Sequence, residues 1–101
     1  MAIKADFSIS VHPGEVLSDM IAGVGMTQAA FARHLKLEPS KLNEIVRGKR
    51  GVSAAMAVRL GRAFAHFGST PGFWLNLQNN YELSLVKPNV AEGVVPIRKR
   101  A

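Results

Sequence analysis

Apolar residues recur along this chain in five successive helical patterns, interrupted by short polar segments. Val16, Leu17, Met20, Ile21 and Val24 form the first stripe. Phe31, Ala32 and Leu35, at i, i+1, i+4, form the second, and Leu42, Ile45 and Val46, at i, i+3, i+4, the third. Met56, Leu60, Phe64 and Phe67 mark a fourth, and Phe73, Trp74, Leu77, Tyr81 and Leu85 a fifth. Each spacing returns to one side of a helix, so each predicts a helix with one buried face. Phe7, Ser8, Ile9, Ser10 and Val11 alternate with a period of two instead, which predicts a short extended arm.

Helix signals bracket these stripes. His12-Pro13-Gly14-Glu15 opens the first helix, with proline at a position whose missing N–H had no partner and a carboxylate in the first turn. Gly23 and Gly25 end it. Thr27 caps the second helix, Glu38-Pro39-Ser40 opens the third, Ser53 caps the fourth and Gly68 stops it. Thr70-Pro71 starts the fifth, and Pro88 ends the regular structure. The expected organisation is an N-terminal arm over residues 1–11, an all-α domain over 12–87 and a flexible basic tail over 88–101.

The second and third helices are separated only by the stretch around Lys36 to Glu38, with Leu37 as a buried pivot. Two short helices joined by a tight turn, the second polar on its outward side, are the signature of a helix-turn-helix. On a helical wheel Leu42, Ile45 and Val46 face inward. Ser40, Asn43, Glu44 and Arg47 then face outward, with Lys41 at the edge. These side chains can read base edges: arginine bridges O6 and N7 of guanine, asparagine bridges N6 and N7 of adenine, and a carboxylate accepts from the cytosine amine. Glu44 repels phosphate, so it either reads a cytosine or opposes wrong sequences. Gln28, at the start of the second helix, can hold a phosphate together with the helix N-terminus. Arg47, Lys49 and Arg50 surround Gly48 and suit flanking phosphates.

Charge sharpens this reading. The net charge is +6, and eight cations from Arg33 to Arg62 face only Glu38 and Glu44. Asp6, Glu15 and Asp19 crowd the start of the chain. A basic centre beside a mildly acidic start points to a polyanionic partner for one face. A length of 101 residues suits one domain. No apolar run reaches membrane-spanning length, no secretory signal is evident, and the absence of cysteine excludes disulfides and thiolate metal sites. A soluble cytoplasmic protein without membrane contact is expected.

No catalytic constellation stands out. His12, His34 and His66 lie on three segments without carboxylates at triad or metal-ligand spacing, so neither an enzyme, a metal site nor a cofactor is expected. The fifth helix is apolar over a wide arc, because Leu75, Leu83 and Val86 broaden its stripe. A small bundle cannot bury all of that on itself. The surplus suggests self-association through Phe73, Trp74, Leu77, Tyr81 and Leu83, which would place two recognition helices one DNA turn apart.

Several segments together carry a family resemblance. They are His12-Pro13-Gly14-Glu15, Thr27-Gln28, the run from Leu42 to Gly51 (LNEIVRGKRG), and Phe73-Trp74-Leu75-Asn76-Leu77-Gln78 followed by Tyr81. Over roughly residues 12–86 the chain resembles the HigA-type, VapI-like antitoxins, a branch of the lambda-repressor-like (Xre) helix-turn-helix proteins. The resemblance implies five helices with the helix-turn-helix in helices two and three, and a homodimer on a palindromic double-stranded operator. It also implies neutralisation of a RelE-like toxin that cleaves messenger RNA, with the complex repressing its own promoter. The DNA-facing set it implies is Gln28, Ser40, Lys41, Asn43, Glu44, Arg47 and Lys49, to which the residue reading adds Thr27, Pro39 and Arg50. A stand-alone Xre-type repressor without a toxin, and a protein adaptor that no longer touches DNA, are the alternatives.

Three departures from that pattern matter. Glycine is usual where Lys36 stands, so Lys36 must adopt a positive φ at some cost, or the turn differs. Glu38 replaces the usual serine or threonine cap, which weakens the start of the third helix. The chain is basic, as the toxins of such pairs tend to be. Charge neutralisation is then not the main basis of toxin binding, unless the acidic start supplies a local patch.

Overall fold

The computed structural model describes residues 11–100. Five α-helices follow one another: α1 (Pro13–Gly23), α2 (Gln28–His34), α3 (Pro39–Val46), α4 (Ala54–Ala63) and α5 (Pro71–Leu85). A short 3-10 turn over Ala65–Phe67 joins the last two, and no strand occurs among the described residues. This is the five-helix, helix-turn-helix architecture expected. The extended arm predicted over residues 7–11 lies outside the described residues, apart from the exposed Val11.

The helix starts follow local chemistry. Thr27, Ser53 and Thr70 each accept a hydrogen bond from the backbone N–H three residues on, satisfying one of the donors a helix N-terminus leaves open. Glu38 makes no side-chain cap bond, so α3 begins on Pro39 alone. The stops are equally regular. After α2, the Leu37 N–H donates to the Ala32 carbonyl (2.9 Å) and the Lys36 N–H to the Arg33 carbonyl (3.1 Å). That pairing needs a left-handed residue at its centre, and Lys36 takes it with φ 60°, the sole non-glycine with positive φ among the described residues. The cost is about 1–2 kcal/mol, accepted here because the paired carbonyls, the buried Leu35 and the half-buried Leu37 over-determine the turn.

The core joins all five helices: Leu17, Phe31, Ala32, Leu42, Ile45, Leu60, Phe64 and Trp74 are almost fully removed from solvent. Phe64 stacks on Phe31 (ring centroids 5.0 Å apart) and lies 6.1 Å from the Trp74 ring. The Trp74 indole N–H donates to Ser69 Oγ at 2.7 Å, so its polar edge is satisfied inside the protein. Two expectations fall here. Trp74 was expected at a dimer interface, but at 0% exposure it belongs to the protomer's own core and cannot reach a partner. Phe67 was expected on the inward stripe of the fourth helix, but α4 ends at Ala63. The 3-10 turn then rotates Phe67 outward, where it is 67% exposed.

Two close approaches set how α3 sits. A Cβ on Gly14 would run into the Ile45 carbonyl, so α1 and α3 meet where only glycine fits. His12, buried ahead of α1, accepts from the Gly14 N–H through Nδ1 (2.9 Å). The ring also lies against the Arg50 backbone and beside Gly48, and it meets Tyr81 of α5 edge-on at 4.9 Å. One neutral imidazole thus ties α1, the segment after α3, and α5 together. Burial pushes its pKa below the usual histidine value, opposed by Glu15 and by the Arg50 backbone.

This gives a pH dependence with a definite sign. Because the folded pKa lies below the unfolded value of about 6.5, the unfolded chain binds the proton more readily. The contribution of His12 is therefore fully present above that value and is lost as pH falls through the folded pKa. Denaturation of the wild type should show stability dropping over this acidic window. His12→Asn keeps a cap acceptor without titrating and should show a flatter slope; an identical slope would remove His12 as its source.

Candidate nucleic-acid interface

Helix α3 has eight residues, too few to persist alone in water, so packing decides which way it faces. Leu42 (0% exposed) and Ile45 (1%) point into the core, with Val46 half-buried beside them. Turning α3 by half a revolution would expose both, at a cost of roughly 3–6 kcal/mol for two large aliphatic side chains. The opposite side is therefore fixed outward: Pro39, Ser40, Lys41, Asn43 and Arg47 are exposed and Glu44 is half-buried. Ser40, Asn43 and Arg47 fall at i, i+3, i+7 and share one ridge. Pro39 opens that ridge and carries no donor.

Gln28, half-buried at the first position of α2, reaches this ridge: Asn43 Nδ2 donates to Gln28 Oε1 at 3.3 Å. The bond links the side chain of the first residue of α2 to a side chain in the middle of α3. Thr27, expected in the same set, is exposed, and its hydroxyl is used by the Ala30 N–H. It holds the α2 start in place.

Beyond Arg47 the chain turns back on itself. Gly48 takes φ +76°, and the N–H groups of Lys49 (2.8 Å) and Arg50 (3.2 Å) both donate to the Glu44 carbonyl. Lys49 is exposed and has no carboxylate partner among the described residues. Arg50 Nε instead donates to Glu44 Oε2 at 2.7 Å, the one ion pair among the described residues. This changes the expectation for Glu44, whose carboxylate is engaged by a cation of its own chain. Lys41, Arg50 and Arg59 line one shallow groove, and Arg59 and Arg62 with His34 line the next. The positive field therefore extends from α3 along α4.

Two residues that hold this segment were not assigned that role from the sequence. Gln78 of α5 is buried, accepts from the Val52 N–H at 2.7 Å, and lies so close to Gly51 that a Cβ there would meet its amide at 2.8 Å. His12 grips the same segment at Arg50. Gln78 is one of several polar residues on α5, so nothing local marked it, and its partner lies 26 positions away. Among the described residues no cluster of three or more His, Cys, Asp or Glu could hold a metal ion. No helix there is long and apolar enough to cross a membrane.

The residues expected to mediate self-association divide. Phe73 and Leu83 are exposed, Leu77 and Tyr81 are half-buried, and Trp74 is internal. Leu85 (65% exposed) and Val86 (47%) add to the open apolar end of α5.

No family model matches the chain. Individual proteins do. "Virulence-associated protein I" of Dichelobacter nodosus is 39% identical over 79 residues, covering 77% of this chain and 70% of that protein. The solved structure of the Pseudomonas aeruginosa antitoxin HigA with the higBA promoter is 42% identical, with a TM-score of 0.69 over 84% of this chain and 88% of that one. An addiction module antidote protein of a HigA family from Coxiella burnetii is 32% identical, with a TM-score of 0.74 over 87% of this chain and 97% of that one. With its helix-turn-helix, its five-helix frame and this level of identity over nearly the whole of a relative, the chain belongs to the HigA family of antidote proteins.

Proposed function

We propose that this chain is a sequence-specific DNA-binding antitoxin that reads a palindromic operator as a homodimer and represses its own operon. The observation that carries this reading is the orientation of α3: its apolar side is locked in the core, and Ser40, Asn43 and Arg47 form an exposed ridge braced by Gln28. A helix of eight residues is about 12 Å long, close to the width of the major groove. The HigA relative solved with promoter DNA supports the same reading. On this reading Asn43 and Arg47 read base edges, Gln28 and the α2 N-terminus hold a phosphate, and Lys41 and Lys49 contact the flanking backbone. The work takes place on DNA in the cytoplasm, with no cofactor and no catalytic step.

Neutralisation of a RelE-like toxin completes the proposal. Glu15 and Asp19, exposed one turn apart on α1, offer an acidic side to a basic partner on an otherwise basic protein. On this reading the homodimer forms through the open end of α5, a reading supported by the exposed apolar side chains of Leu83, Leu85 and Val86.

Positioning and reading separate by measurement. Arg47→Ala should lose about 1–3 kcal/mol on the operator and much less on unrelated duplex, whereas Lys49→Ala should weaken both to a similar degree. Equal losses for Arg47→Ala on the two duplexes would remove it from the reading set, and indifference to DNA altogether would favour a protein adaptor. For the assembly, Leu83→Glu should give monomers by light scattering that bind one half-site weakly. An unchanged dimer would place the interface elsewhere.

A further inference from the structure

We propose that Glu44 is a positioning residue: its carboxylate fixes the Arg50 guanidinium so that Arg50, not Glu44, reads a guanine at the edge of the half-site. The inference rests on the DNA-reading function above and assigns roles within that site.

Arg50 is held through both its backbone and its side chain. Its N–H donates to the Glu44 carbonyl at 3.2 Å and its Nε donates to Glu44 Oε2 at 2.7 Å. Gly48, with φ +76°, makes the turn that brings residue 50 back over residue 44. Lys41, Arg47 and Lys49 have no such tether among the described residues.

A guanidinium has five N–H donors, and the bond from Nε leaves those on its two terminal nitrogens. That end has the spacing to meet O6 and N7 of guanine together, and a side chain held in place loses little freedom on doing so. The same bond commits one of the two Glu44 carboxylate oxygens to Arg50. The side chains are 53% and 43% exposed, a setting in which an ion pair adds little to folding stability. Its consequence lies in orientation and in charge. A lone carboxylate on this helix would repel phosphate. Paired, it leaves the two residues neutral together, so they release few counterions and add discrimination rather than general affinity.

The test uses the full chain. A preferred duplex is selected from a randomised pool, and affinities for it, for its single-base-pair variants and for a scrambled duplex are measured for wild type, Glu44→Ala, Glu44→Gln, Arg50→Ala and the double alanine variant. Circular dichroism checks folding. Arg50→Ala and Glu44→Ala should each lower the preferred-to-scrambled ratio roughly tenfold. Both should lose discrimination at the same guanine, with the double variant no worse than Arg50→Ala. Glu44→Gln keeps an acceptor for Nε and should retain discrimination there. Loss at a cytosine different from the Arg50 position would make Glu44 a direct reader and overturn the proposal. So would an Arg50→Ala loss that is equal on every duplex. A wild type that selects no sequence would instead sink the DNA-reading function itself, before any variant is compared.

Discussion

The burial of Leu42 and Ile45 is the constraint on which the rest of the molecule depends. A helix as short as α3 has no stability or orientation of its own; both come from two side chains seated in the core. Gly14 lets α1 approach the Ile45 carbonyl closely enough to close that seat. Once those contacts are made, the outward direction of Ser40, Asn43 and Arg47 is a geometric consequence of 3.6 residues per turn. The exposed ridge can vary without disturbing the core that aims it.

The segment after α3 is organised on a different principle. It has little apolar surface, so it is held by buried polar groups: His12 from the α1 side, Gln78 from α5, and the Glu44 carbonyl from α3 itself. Such bonds contribute modestly to net stability but are costly to leave unmade. They therefore hold a polar loop at fixed distance from the recognition helix. Arg50 stands on that loop with its side chain tethered to Glu44, whereas Lys49 beside it does not. Preorganisation of this kind favours selectivity, because less freedom is lost when the correct partner arrives.

Much of this was legible in the sequence, wherever the signal was local. Pro13, Thr27, Pro39, Ser53 and Thr70 mark helix starts because capping is completed within three residues, and the Leu42–Ile45–Val46 spacing fixes one face of α3. The missing cap at Glu38 and a positive φ at Lys36, one of two alternatives there, came from comparison with the family pattern, and both are present in the fold. What sequence reading could not supply was pairing at a distance. Trp74 was assigned to an interface because its stripe is wide, but an indole that finds Ser69 and Phe64 inside the protein stays inside. Phe67 continued the spacing of the fourth helix, yet the helix ended four residues before it. Gln78 and the Glu44–Arg50 pair depend on turns whose geometry only the folded chain defines.

The most direct test of the central claim is dimethyl sulfate interference on the selected duplex, since methylation places groups on guanine N7 in the major groove and on adenine N3 in the minor groove. With α3 seated as proposed, N7 methylation should block binding at two clusters one helical turn apart, and N3 methylation between them should have little effect. Interference confined to N3, or none at either position, would contradict the account.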